Sequence, residues 1–100
     1  MPDFICKFNN EWWNVIVQKL DRLELGDADY DHRQIRIDES LTGDKLFTTA
    51  IHEGIHAQYP FLVESEVERG GVEMAEFIKL LIQTPRLREW VLEQIQDGEQ

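Results

Sequence analysis

The chain holds one cysteine, Cys6, in 100 residues. No disulfide can form within it, and a reducing, cytoplasmic setting is expected. Cys6 is expected to be a small buried filler rather than a nucleophile. No apolar run approaches the length of a membrane span. No basic stretch followed by an apolar run and a cleavage site opens the chain, so no secretory leader is expected. Basic residues are few: 10 Lys and Arg against 20 Asp and Glu, a formal net charge of −10. Phosphate binding needs clustered Lys and Arg, and none appears, so a nucleic-acid partner is not expected. There is no internal repeat and no low-complexity tract. The length suits one domain with an adequate core.

Three histidines are present, and two of them fall in Thr48-Thr49-Ala50-Ile51-His52-Glu53-Gly54-Ile55-His56-Ala57. This is His-Glu-x-x-His in what reads as a helix running to about Gln58. Imidazoles four apart sit one turn above each other and can grip one zinc ion. The glutamate beside the first can accept a proton from water activated by that ion. At about 100° per residue, Leu46, Phe47, Ala50, Ile51, Gly54, Ile55 and Ala57 fill one half of the helix, expected to face the core. Lys45, Thr49, His52, Glu53 and His56 fill the other. Ser40 and Thr42 carry hydroxyls suited to capping its start, and Asp44 suits its dipole.

A catalytic zinc needs a third protein ligand and an open position. No histidine follows His56, so a carboxylate must complete the set. Pro60 disfavours helix at Tyr59 and ends the motif helix. A second helix, about Val63 to Gln83, then runs back antiparallel. On it Glu64, Glu68, Gly71, Ala75 and Ile78 form one stripe, and the small residues allow close approach to the motif helix. Glu64 comes level with His56 and is expected to be the third ligand. Glu68, a turn later, is expected to accept a histidine N–H and fix its tautomer. Two imidazoles and a carboxylate suit Zn2+.

His52-Glu53-x-x-His56 followed by Pro60-Phe61-Leu62-Val63-Glu64-x-x-Val67-Glu68 resembles the small gluzincin-type metallopeptidase domains, including compact ones often encoded by phages. Those enzymes take their third ligand from a Glu on the following helix, with an acidic residue four later behind the first shell. Glu64 and Glu68 match that pair, although the gap from His56 to Glu64 is much shorter than in the large thermolysin-like enzymes. The resemblance implies an α+β, zincin-like domain: a small N-terminal antiparallel sheet packed on the motif helix, followed by two further helices. It also implies a protein or peptide substrate, and a strand with a free edge beside the motif helix, for which Arg33 to Asp38 is the candidate. His32 and Tyr59 are candidates for donating to the developing oxyanion. Their plainer readings are a surface turn residue and an aromatic covering the helix end.

Around this centre, residues 1 to 10 suggest a short strand and a turn. Trp12 to Leu20 reads as a strand, with a helix from Asn10 to Leu25 competing. Gly26-Asp27-Ala28-Asp29 reads as a turn, and Tyr30 to Asp38 as a turn and a strand with Ile35 and Ile37 inward. Thr84-Pro85 opens a third helix with Leu87, Trp90, Val91 and Ile95 inward.

Hydrolysis of a peptide bond, with Glu53 as base, is the expected activity. The small size leaves little wall for a specificity pocket, so either the substrate is one particular partner or a second chain completes the cleft. A zinc-stabilised binding module without turnover is the alternative, and there Glu53 would be dispensable. An acidic interaction protein with an accidental motif is a third reading, and it predicts no metal.

Overall fold

A computed structural model describes residues 2–21 and 23–98. Four strands precede three helices: β1 Phe4–Phe8, β2 Glu11–Gln18, β3 Gly26–Asp29, β4 Gln34–Asp38, α1 Gly43–Gln58, α2 Glu64–Gln83 and α3 Pro85–Gly98. The α+β class and the three helices that follow the sheet agree with the sequence reading, whereas β3 stands where a turn was expected. The competing helix over residues 10–25 does not form.

β1 and β2 make an antiparallel hairpin with Phe8 opposite Glu11. Its two-residue turn is Asn9-Asn10, with φ of 49° and 65°. Left-handed backbone at both positions suits the right-handed twist of the strands, and asparagine tolerates it.

The sheet order is β1-β2-β4-β3. β2 and β4 pair in parallel, and β3 returns antiparallel on β4. The sheet is therefore mixed, where a purely antiparallel one was expected. The segment after β2 carries the chain past the position β4 will fill, and the β3–β4 hairpin then inserts β4 beside β2. In consequence β4, the expected free-edge strand, is paired on both sides. The two edges are β1 and β3, and β3, the one that lines the motif cleft, is read from the sequence as a turn.

One row across the sheet runs Phe4, Val15, Ile35, Ala28, and the next runs Val17, Ile37, Gly26. Trp13, Val15, Ile35 and Ile37 are buried and form the core with Ala57 of α1. Side chains shrink toward β3, which lets α1 lie close to that edge. At Gly26 a Cβ would stand 2.8 Å from the Arg36 carbonyl oxygen and 3.0 Å from Thr49 Cγ2. The first of these is backbone, so it cannot yield without opening the β3–β4 ladder. Gly26→Ala is expected to destabilise the fold by about 1–3 kcal/mol. A urea melt checks this, and a midpoint equal to the parent's would remove this reason for the glycine.

α1 buries Thr49, Glu53 and Ala57. This corrects the expected division of the helix. Its motif side lies between the sheet and α2, whereas Ala50, Ile51, Gly54 and Ile55 on the other side are only half-buried and Leu46 is exposed. The inward residues of α2 are Val67, Gly71 and Ala75. Gly71 provides the close approach expected of it: a Cβ there would sit 3.6 Å from His52 Cα. Thr42 precedes α1 but its hydroxyl makes no cap bond. The Ser40 hydroxyl instead donates to Asp38. The Thr84 hydroxyl donates to the Leu80 carbonyl, 2.8 Å away, at the end of α2. Among the described residues α3 approaches α2 alone, and its expected inward residues Leu87, Trp90 and Ile95 are exposed.

Candidate metal centre

The chain reversal at Pro60 carries α2 back along α1 and brings its first residue to the motif. His52 Nε2 lies 2.8 Å from Glu64 Oε1, and His56 Nε2 lies 2.9 Å from Glu64 Oε2. The two Nε2 atoms are 3.2 Å apart. Two ligands about 2.0 Å from a tetrahedral zinc stand about 3.3 Å from one another; the 3.2 Å between the imidazoles matches this, and the shorter contacts to Glu64 would open by a few tenths of an ångström around a shared ion. Hydrogen bonding alone serves the triangle poorly. If each imidazole donates from Nε2 to the carboxylate, two N–H groups confront each other. A cation between the two imidazoles and the Glu64 carboxylate would take one inward lone pair from each. Among the described residues, His52, His56 and Glu64 are the group of His, Cys, Asp and Glu that could hold a metal.

Glu53, one residue after His52, is 9% exposed and lies beside the same opening. Neither oxygen has a protein hydrogen-bond partner among the described residues, and neither is sealed from solvent. Burial pushes its carboxyl above the ordinary range. The neighbouring histidines pull the other way, and Asp27 and Glu64 add to the rise. The cleft holds about 310 Å3 and is walled by Gly26, Asp27, Ala28 and Tyr30 opposite His52, Glu53, His56 and Glu64. Arg36 neutralises Asp27 through a bidentate pair, with Nε 3.0 Å from Oδ1. The carboxylate nearest Glu53 on the sheet side thus carries its own counter-charge.

Tyr30 is a site residue that sequence reasoning missed. Its hydroxyl donates to the His56 carbonyl at 2.9 Å, and its ring stands edge-on to Trp13 with centroids 5.7 Å apart. It ties the end of the β3 edge to the last turn of the motif helix. Burial, followed by Glu53 and Glu64, raises the phenol's pKa. No local spacing relates it to the motif, so no sequence signal was available.

Three expected site residues lie elsewhere. Glu68 is exposed on α2, among Ser65, Arg69, Val72 and Glu73, and makes no bond to either imidazole. Val67, 0% exposed, takes the inward position one turn after Glu64. An apolar side chain loses less on burial than a carboxylate does, so α2 is rotated toward Val67. Tyr59 lies just past the end of α1, where the backbone leaves helical geometry (φ −129°, ψ 72°). It lines an apolar groove with Phe8, Ile51 and Ile55 on the opposite side of α1. His32 is held at the exposed β3–β4 turn, its Nδ1 2.7 Å from Asp29 Oδ2. Asp29 also accepts from the His32 and Asp31 backbone N–H groups. These bonds, the imidazole's first among them, hold the Asp29 carboxyl below its usual range.

No family model, curated protein or solved structure matches the chain. No helix among the described residues is long and apolar enough to cross a membrane.

Proposed function

We propose that the chain is a zinc-dependent metallopeptidase of gluzincin type, with His52, His56 and Glu64 as metal ligands and Glu53 as general base. The observation that carries this reading is the meeting of three ligand atoms within 4.8 Å of one another beside a buried glutamate that makes no side-chain hydrogen bond among the described residues. Zinc bound there would supply Lewis acidity to a substrate carbonyl and to water. The remaining steps belong to the chain. Glu53 takes the proton of the attacking water and returns it to the leaving amine. The free edge of β3 offers main-chain donors and acceptors to an extended peptide. Tyr30 holds that edge against the motif helix, and the Arg36–Asp27 pair holds it to β4. The substrate is a protein or peptide and not a nucleic acid, and the lone Cys6 suits a cytoplasmic setting.

The test is hydrolysis of an unfolded protein and of a random peptide library by the zinc-loaded chain, with Glu53→Gln alongside. Cleavage by the parent that the variant lacks supports the reading. The small volume of the cleft favours one competing reading, a zinc-stabilised binding module without turnover. That reading predicts zinc binding with no cleavage by either protein.

A further inference from the structure

The third helix is an amphipathic element that meets α2 but leaves most of its apolar stripe uncovered among the described residues. Of residues 85–96 only Val91 is half-buried, and the rest are exposed. Yet Leu87, Trp90, Val91 and Ile95 recur at helical spacing and make one apolar stripe. Trp90 is 57% exposed and Ile95 52%. A helix of 14 residues is marginal in water without packing on an apolar face. Its charges also run against its own dipole, which favours acids at the start and bases at the end. No acidic residue stands in its first turn and no basic residue in its last. Arg86 and Arg88 are near the start, and Glu93 is in the second half. None of these three makes an ion pair within the chain, among the described residues.

We propose that α3 pairs antiparallel with α3 of a second copy of this chain, joining the Leu87, Trp90, Val91 and Ile95 stripes and setting Arg86 of each copy beside Glu93 of the other. Both charge and symmetry select this occupant. Arg86 and Glu93 are seven residues apart, about 20° short of two full turns, so they border the same side of the stripe. Turning a second copy end over end about a two-fold axis near Trp90 and Val91 lays that border against itself in reverse order. Two Arg–Glu pairs then form at once. Each helix start, with its arginine, also faces the acidic end of its neighbour. A parallel pair would bring the two Arg-bearing starts together instead. The whole chain carries a net charge of −10, which opposes contact between copies elsewhere. Residues 85–96 hold two arginines and two glutamates, so the α3 face is free of that repulsion.

One helix face is smaller than the roughly 800 Å2 per partner of a typical stable complex, so the association is expected in about the 1–100 µM range. The experiment is sedimentation equilibrium of the full chain from about 1 to 500 µM, with far-ultraviolet circular dichroism to check folding. The parent is expected to pass from one-chain to two-chain mass over that range. Arg86→Glu and Glu93→Arg should each weaken association about tenfold, because each sets like charges together at both ends. The double reversal restores both pairs and should return close to the parent's affinity. Trp90→Ala should remain monomeric throughout. A parent that is monomeric at 500 µM would overturn the proposal. So would a dimer that survives Trp90→Ala, or a double variant no better than the singles. A parent that associates only with a different, basic protein would assign the stripe to that partner and overturn it too.

Discussion

Glu53→Gln is expected to lower turnover by roughly 10²–10⁴-fold while leaving zinc binding as in the parent. The substitution keeps the shape of the side chain and removes its ability to take a proton. Glu53 projects from the same helix as both histidines but is separate from the triangle they form with Glu64. Among the described residues its carboxylate makes no hydrogen bond that the amide would break, so the fold should tolerate the change. Burial disfavours its ionised form, and a dication held by the adjacent imidazoles favours it. The group is thereby poised to exchange a proton in the cleft. Steady-state hydrolysis beside a zinc titration separates the two effects. A variant that cleaves as well as the parent would assign the base role to another group.

Glu64→Ala is the second large effect. Removing one of three protein ligands should weaken zinc by more than the roughly 10–100-fold that loss of an outer-sphere partner costs. Glu64 is 65% exposed in its side chain, so the metal-free fold should lose little, on the order of 0.5 kcal/mol. Glu68→Ala, one turn further along α2, should leave zinc affinity unchanged, because Glu68 faces solvent and meets neither imidazole. Competition against a chromophoric chelator reads both variants. Equal losses in the two would mean that the acidic start of α2 acts by charge alone and not by ligation.

The contrast between these glutamates shows what the sequence could and could not specify. The four-residue spacing of His52 and His56 fixes their neighbourhood on any helix, and Pro60 forces the reversal that brings Glu64 to them. Both are local facts. Whether the position after Glu64 on the inward side falls three or four residues on depends on the rotation of α2. That is a tertiary choice, and Val67, 0% exposed, decides it. Tyr59 and His32 were proposed from chemical type alone. The backbone leaves helical geometry at Tyr59 and its ring joins the groove beside Ile51 and Ile55, and Asp29 captures the second. Tyr30 reaches the motif across 26 residues, a distance over which no periodicity speaks.

The sheet was legible in its inward residues and not in its order. Alternation marks Trp13, Val15, Val17, Ile35 and Ile37 as inward; all are buried except Val17, which is 44% exposed. Gly-Asp-Ala-Asp reads as a turn because its composition lacks β-branched and aromatic residues. It becomes a strand because only a small residue fits at Gly26, between Arg36 and Thr49. With β3 taken as a turn, the parallel pairing of β2 with β4 could not be foreseen.

The most direct test of the central claim is the zinc content of the purified, reconstituted chain at neutral pH, read by equilibrium titration with exchange into a competing chelator. One tightly bound zinc per chain, weakened by His52→Ala, His56→Ala and Glu64→Ala but not by Glu53→Gln, is the predicted result. A chain that binds no zinc, or binds it equally well without His52 or His56, would contradict the site and the hydrolytic function built on it.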